Sequence, residues 1–376
     1  MYRNPFSDAE LDRRLAAVRA AMARRRLDML LLSSPENIFY LTGLDHWGYF
    51  APHLLIVPAA GEMTLITRAM EAVTIARQVR NARFLGHSDS ETAIAKAVPL
   101  LAGAGRLGIE AQSAGFSYAA GQALSAALPD LPDLPLEDVS GLIDRLRLVK
   151  SAEEQALMRQ AGKVSSAAMA AALEALAPGV PEREVAAACS AAMIRAGGDP
   201  PGFGPFLRPG RRLAEEHTTW GDSRYRGDDR VLLELAGCVG RYHAPMGRLV
   251  HLGPMPDADA AMAEIAHTAF DAVVAALTPG ARAREVYGAW QAVVDAAGLP
   301  EYRRHHCGYA VGIGVPPSWT GGNSVTGLRH DSEMEIETGM SFHILSWFTE
   351  TGRGEFFTSD CVLLGPNGAE VLTHAA

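Results

Sequence analysis

Apolar and polar positions follow two different periods along this chain. Residues 7–26 carry apolar side chains at helical spacing, opened by Ser7-Asp-Ala-Glu10, whose Ser-x-x-Glu order predicts a capped helix start. Three short apolar runs follow at 27–33, 52–57 and 63–67, each long enough for a buried strand and too short for a helix. Alternating units of this kind continue to about Leu148 and predict a small α/β domain. A boundary then falls near Lys150, dividing the chain into 1–149 and 150–376. There Ser151-Ala-Glu-Glu154 has capping-box spacing and predicts a long helix to about Ala177. The Pro178-Gly179 pair ends that helix, and another begins near Pro181.

The second part repeats itself. Pro178-Gly-Val-Pro-Glu-Arg-Glu-Val185 matches Pro279-Gly-Ala-Arg-Ala-Arg-Glu-Val286. Each copy lies between an Ala-Leu-rich helix and an amphipathic helix that ends at Gly197 or Gly298, and each leads into strands. Two copies make a duplication rather than a solenoid, which needs at least three stacked units. The pattern predicts a pseudo-twofold α+β domain with helices on one face of a curved antiparallel sheet.

Within this domain, residues 232–248 read as a buried strand, a tight turn marked by Gly240 and a second strand. One carboxylate, Glu234, interrupts the first apolar run. A buried ionised carboxylate costs several kcal/mol unless paired, so Glu234 is either well partnered, for instance by Arg248, or chemically employed.

Composition narrows the picture. The chain has 376 residues, 48% hydrophobic and 20% charged, enough for two domains with their own cores. No apolar run approaches the roughly 20 residues of a membrane span, and the N-terminal residues lack a signal peptide's basic start and apolar stretch. The net charge of −9 argues against nucleic acid as a partner. Four cysteines with no CxxC pair predict reduced thiols in a cytoplasmic protein rather than disulfides or a zinc site.

These features resemble the creatinase, prolidase and aminopeptidase P family over nearly the whole chain. Leu27-Asp-Met-Leu-Leu-Leu-Ser-Ser-Pro-Glu-Asn-Ile-Phe-Tyr-Leu-Thr-Gly43 is similar to its N-terminal domain, and Leu146-Arg-Leu-Val-Lys-Ser-Ala-Glu-Glu154 to its junction helix. Ile336-Glu-Thr-Gly-Met-Ser-Phe342 is similar to its strand-turn motif. The resemblance implies an N-terminal creatinase-like α/β domain and a C-terminal duplicated "pita-bread" domain. Metallopeptidase members hold two metal ions with two Asp, one His and two Glu. Carried over residue by residue, those positions are Glu234, Pro245, Tyr309, Leu345 and Ser359, with Asp360 beside the last. One acid among five cannot chelate a divalent ion, so no metal and no cofactor are implied.

The local likeness is greatest to the metal-independent ectoine hydrolase branch. It rests on His217-Thr-Thr-Trp220, Glu234-Leu-Ala-Gly-Cys238, Arg241-Tyr-His-Ala-Pro245, Gly308-Tyr-Ala-Val-Gly-Ile-Gly314 and Gly43-Leu-Asp-His-Trp-Gly-Tyr49. Ser359, and the residues downstream of the Pro316-Pro317 pair, depart from it at positions expected to face the substrate. The implied activity is hydrolysis of a C–N bond in a small polar substrate: a cyclic amidine such as ectoine, or a related amidino or amide compound. Glu234 is then the base or nucleophile, because burial raises a carboxyl pKa toward neutrality. His217 matches the catalytic histidine position of creatinase and can shuttle a proton to nitrogen; the bland alternative is a cap or surface histidine. The Tyr309 phenol can donate to substrate or intermediate, or simply pack in the core.

His243 and His343, on strands near the inferred cavity, are candidates to bind a substrate carboxylate. His305 and His306 read as adjacent strand residues facing opposite ways, hence not ligands. Trp47 and Tyr49 lie on a loop that in this family can close the neighbouring subunit's site, where aromatic faces suit an amidinium. On that reading the enzyme is a homodimer; otherwise the two rings plug their own domain. Two other readings compete: a metal-dependent Xaa-Pro aminopeptidase, prolidase or related lyase, and a non-catalytic module that binds peptide.

Overall fold

The computed structural model describes residues 4–128 and 136–375. They form two compact units, one running to Arg147 with Gly322–Ser324 added, the other taking up the chain from Leu148. Among the described residues no helix is long and apolar enough to cross a membrane.

The first unit follows the alternation of its sequence. Its elements are α1 (Asp8–Arg25), β1 (Met29–Leu32), α2 (Pro35–Thr42), β2 (Leu54–Pro58), β3 (Met63–Arg68), α3 (Ala72–Gln78) and β4 (Ala82–His87). Then come α4 (Ala93–Leu101), β5 (Leu107–Ile109), α5 (Tyr118–Ala127), β6 (Glu137–Asp138) and α6 (Leu142–Leu148). Ser7 caps α1 by accepting the Glu10 N–H at 3.1 Å, while the Glu10 carboxylate pairs with Arg13 and Arg14. The strands make one mixed sheet in the order β4-β3-β2-β1-β5-β6. Leu31, Leu54, Ile56 and Ile66 pack from it onto Ile94, Leu101 and Leu124 of α4 and α5.

The second unit is a duplicated α+β domain. One half holds α7 (Ala152–Ala175), α8 (Glu182–Arg195), β7 (Phe206–Pro209), β8 (Arg230–Val239) and β9 (Tyr242–His251). The other holds α9 (Asp257–Ala276), α10 (Ala283–Ala296), β10 (Gly308–Ala310), β11 (Ser341–Phe348), β12 (Phe356–Gly365) and β13 (Gly368–Val371). The predicted capping box is present: Glu154 N–H donates to Ser151 Oγ and Ser151 N–H to the Glu154 carboxylate. The sequence repeat is a structural one. Helices α8 and α10 both have 14 residues, and the Pro-Gly turns before them place Gly179 and Gly280 at φ of 84° and 89°. Only glycine adopts that left-handed conformation without strain.

The strands form a single antiparallel sheet, β10-β11-β12-β9-β8-β7, with β13 added to β12. The two-residue strand period sorts its side chains between two faces. Val231, Leu233 and Leu235 of β8 pack on α7 and α8 through Val164, Met169, Val185 and Cys189. Phe342, Ile344 and Val362 do the same for α9 and α10 with Val273, Trp290 and Val294. The sheet backbone comes close to α7 at Gly237, where a Cβ would sit 2.6 Å from Ser165 N and 2.7 Å from Ala161 O. The opposite face carries Leu232, Leu249, Trp347 and Phe357, and Glu234 takes the next same-face position after Leu232.

Candidate active site

On that second face of the sheet lies a cavity of about 560 Å³. Its apolar wall is Phe203, Phe206, Trp319, Leu345 and Trp347, and its polar groups are Arg208, Glu216, His217, Glu234, Arg304, His305, His306 and Tyr309. The three residues proposed for chemistry, Glu234, His217 and Tyr309, thus line one cavity.

Glu234 is 8% exposed and sits in the middle of the β8–β9 hairpin, with Gly247 opposite it on β9 and Phe206 on β7. Among the described residues its carboxylate accepts no hydrogen bond and joins no ion pair. The structural explanation for this acid fails on its partner. Arg248 gives Nη2 to both oxygens of Asp360, at 3.0 and 2.9 Å, and Nη1 to the carbonyls of Gly247 and Ser359. Burial pushes the Glu234 carboxyl up to about 7; Arg208 opposes the shift and Glu216 adds to it.

His217 comes from the loop between β7 and β8, exposed at the cavity mouth, with its ring edge-on to Phe206 at 6.2 Å. Its φ of 54° is the left-handed conformation that a histidine rarely adopts. No hydrogen bond among the described residues holds the imidazole, so both nitrogens remain available.

Tyr309, on β10, is buried at the head of a hydrogen-bonded chain. Trp319 Nε1 donates to its hydroxyl at 3.0 Å, and His343 Nδ1 lies 2.8 Å from the same oxygen. His343 Nε2 lies 2.8 Å from Ser359 Oγ. Burial, then the charges of His306 and Arg248, hold His343 down at about 3, so the imidazole is neutral. With Nδ1 protonated, Tyr309 accepts from both Trp319 and His343, and its own proton is free to donate elsewhere. With Nε2 protonated, that proton is spent on His343.

The structure does not bring His243 and His343 to the cavity lining. His243 is fully buried: Gly202 N–H donates to Nε2 at 2.8 Å, which leaves Nδ1 to donate to Arg241 O at 3.0 Å. Burial and Arg241 hold it down at about 3. A neutral imidazole with both nitrogens bonded has nothing to offer a substrate carboxylate, and this corrects the expected role of His243. His343 is corrected likewise, being committed to Tyr309 and Ser359. The reading of His305 and His306 also changes. They lie in the loop before β10 rather than on a strand, their rings 4.1 Å apart, and both line the cavity.

Trp47 and Tyr49 belong to the first unit and behave differently from each other. Trp47 is 63% exposed. Tyr49 packs its ring against His46 and His53, at 4.9 and 4.6 Å, and donates its hydroxyl to Leu44 O at 3.3 Å.

Sequence reasoning missed Arg208, a fully buried cation on β7, and Trp319, which orients Tyr309. Arg208 gives the same signal as Glu234, a lone charge inside an apolar strand. Trp319 lies in the stretch after the Pro316-Pro317 pair that departs from the ectoine hydrolase branch, but loop 314–324 has no period to single it out.

A duplicated antiparallel sheet with helices on one face and an acid-bearing cavity on the other defines a pita-bread hydrolase. The chain belongs to metallopeptidase family M24, whose model matches residues 156–366, and the Creatinase/Prolidase N-terminal domain matches residues 14–149. It is 29% identical to the ectoine hydrolase of Halomonas elongata, covering 98% of this chain and 96% of that one. It is 30% identical to an uncharacterized hydrolase/peptidase of Sinorhizobium fredii, covering 92% of each. Among solved structures, the Xaa-Pro dipeptidase from Bacillus anthracis has the same fold, with a TM-score of 0.83 at 21% identity over 97% of this chain and 98% of that one.

The family's name implies metal, so the donor set has to be tested against one. At the five positions that the resemblance assigns to ligands stand Glu234, Pro245, Tyr309, Leu345 and Ser359. Pro245 and Leu345 carry no donor, and Tyr309 and Ser359 are tied to His343. Asp360 is held by Arg248 and Thr373. Among the described residues no three His, Cys, Asp or Glu side chains gather in a geometry that would hold a metal ion. The residues present do not fit the metal site of the family.

Proposed function

We propose that this M24 hydrolase cleaves a C–N bond in a small polar substrate, a cyclic amidine such as ectoine or a related amidino or amide compound, without a metal. One observation carries the reading: Glu234 stands in the cavity wall, buried, unpaired and raised to about 7, where its companion positions offer no further acid. The likeness to the ectoine hydrolase of Halomonas elongata supports the substrate class.

The chemistry can follow two routes. In the first, Glu234 removes a proton from water as the oxygen bonds to the amidine carbon. In the second, its carboxylate oxygen forms that bond directly, and water later releases the ester-like intermediate. In both, His217 protonates the departing nitrogen as the C–N bond breaks, and the Tyr309 hydroxyl donates to the charge that builds in the tetrahedral species. With one water added, an amidine gives an amide and a free amine, a guanidino compound a urea and an amine, and an amide a carboxylate and an amine. Trp319, Phe206 and Trp347 give the apolar walls that exclude water and favour a delocalised cation.

The four cysteines are buried and free, which supports a reducing, cytoplasmic setting. The exposed Trp47 supports the reading in which its loop meets another subunit. Turnover of ectoine, hydroxyectoine, creatine and Xaa-Pro dipeptides by wild type and Glu234→Gln tests the proposal. Ring opening or C–N cleavage that disappears with Glu234→Gln supports it. A fully active Glu234→Gln protein overturns it, and tight peptide binding with no turnover of any compound would make the chain a binding module.

A further inference from the structure

Arg208 stands on β7 opposite Leu232 of β8, and two residues earlier Phe206 stands opposite Glu234. The strand period therefore turns Arg208, Phe206, Leu232 and Glu234 to the same face. Arg208 is 1% exposed and lines the cavity. Its Nη1 donates to the Glu215 carbonyl, its Nε has no partner, and its Nη2 makes no hydrogen bond among the described residues. No carboxylate among them pairs with it.

A buried guanidinium without a counter-ion is costly, and burial outweighs the attraction of Glu216 and Glu234 in lowering its pKa. Elsewhere in this chain the Nε–Nη2 edge of an arginine takes both oxygens of a carboxylate. Arg68 holds Asp89 this way at 3.0 and 3.2 Å, and Arg329 holds Asp331 at 2.8 and 3.0 Å. On Arg208 that edge has no partner among the described residues.

We propose that Arg208 is the specificity-determining residue of the cavity, its unpaired edge binding the carboxylate of a small zwitterionic substrate whose C–N carbon then lies at Glu234. The inference rests on the proposed reaction and deepens it. Arg208 selects the anionic end, while Glu216 and Glu234, the acids of the same cavity, suit the amidinium or guanidinium end. Arg304, the other guanidinium of the cavity, is half-buried and lies over the Trp347 ring at 5.4 Å.

Calorimetric titration tests this with ectoine, creatine and glycyl-proline, each compared with its own carboxamide. Wild type should bind at least one carboxylate about 10- to 100-fold more tightly than its amide, the range of a charge-assisted hydrogen bond. Arg208→Gln should erase that preference, and Arg208→Lys, which keeps the buried charge, should retain part of it. Where Arg208→Gln does not fold, the wild-type comparison together with Arg208→Lys and Arg304→Gln still tells the two guanidiniums apart. Equal binding of every acid and its amide would overturn the role, as would a preference that survives Arg208→Gln or is lost only in Arg304→Gln. Turnover separates the two proposals. Cleavage without carboxylate preference removes Arg208's role and leaves the reaction, whereas preference without cleavage removes the reaction and leaves the role.

Discussion

Glu234 and Arg208 stand on adjoining strands, same face, in register steps two residues apart, yet they form no ion pair. Each is a charged group buried within one cavity wall, and each has unspent hydrogen-bonding capacity. Two such groups side by side are expensive for a fold and useful to a ligand that carries both charges.

The first prediction concerns the acid. Glu234→Gln keeps the shape of the side chain and removes both its basicity and its charge. Its kcat/KM on the cleaved compound should fall about 10²- to 10⁴-fold, the usual worth of a positioned base, with KM changing far less. Steady-state kinetics read this directly.

Ionisation of Glu234 also sets a pH dependence with a definite sign. Its folded pKa, about 7, is above the ordinary 4.5. The native state thus binds the proton more tightly than the unfolded chain. Stability contributed by this group is full below 4.5, falls as pH rises to about 7, and stays lost above that. The loss is on the order of 3 kcal/mol. Glu234→Gln should match wild type in chemical denaturation near pH 4.5 and exceed it at pH 8. Activity should run the other way, with kcat/KM climbing through about pH 7 as the carboxylate forms.

Tyr309→Phe separates the phenol's chemistry from its packing. The ring is kept, but Trp319 Nε1 and His343 Nδ1 lose their shared partner. Buried polar groups left unpaired cost about 1–3 kcal/mol, which thermal or urea unfolding would show. If the hydroxyl also donates to the reacting centre, kcat should drop by more than tenfold while KM holds.

A fourth prediction tests the fold that carries the site. Gly237→Ala would press a methyl group against the backbone of α7 at Ser165 N and Ala161 O. Overpacking of this kind costs about 1–3 kcal/mol. The lowered melting temperature should come with a disturbed site, because Glu234 lies three residues away on the same strand.

Much of this architecture was legible in the sequence because it is periodic. The capped start at Ser151, the repeated Pro-Gly turns and the apolar strand around Glu234 each follow from local geometry, and the structure holds all three. Glu234 was legible for the same reason, as a charge that breaks an apolar strand. His243 and His343 were misjudged because a strand histidine's role depends on what faces it across the sheet, and sequence spacing does not report Gly202 or Ser359 as partners. His305 and His306 were misjudged by placing a loop on a strand. Arg208 carries the signal that marked Glu234 but sits on a four-residue strand too short to stand out, and Trp319 lies in an irregular loop with no period.

Turnover after metal removal decides whether Glu234 works without a metal. Protein dialysed against chelator and shown by elemental analysis to be free of Mn, Zn, Fe and Co should cleave its substrate at the untreated rate. Activity that vanishes on chelation and returns with one of those ions would show that a metal does the work assigned to Glu234.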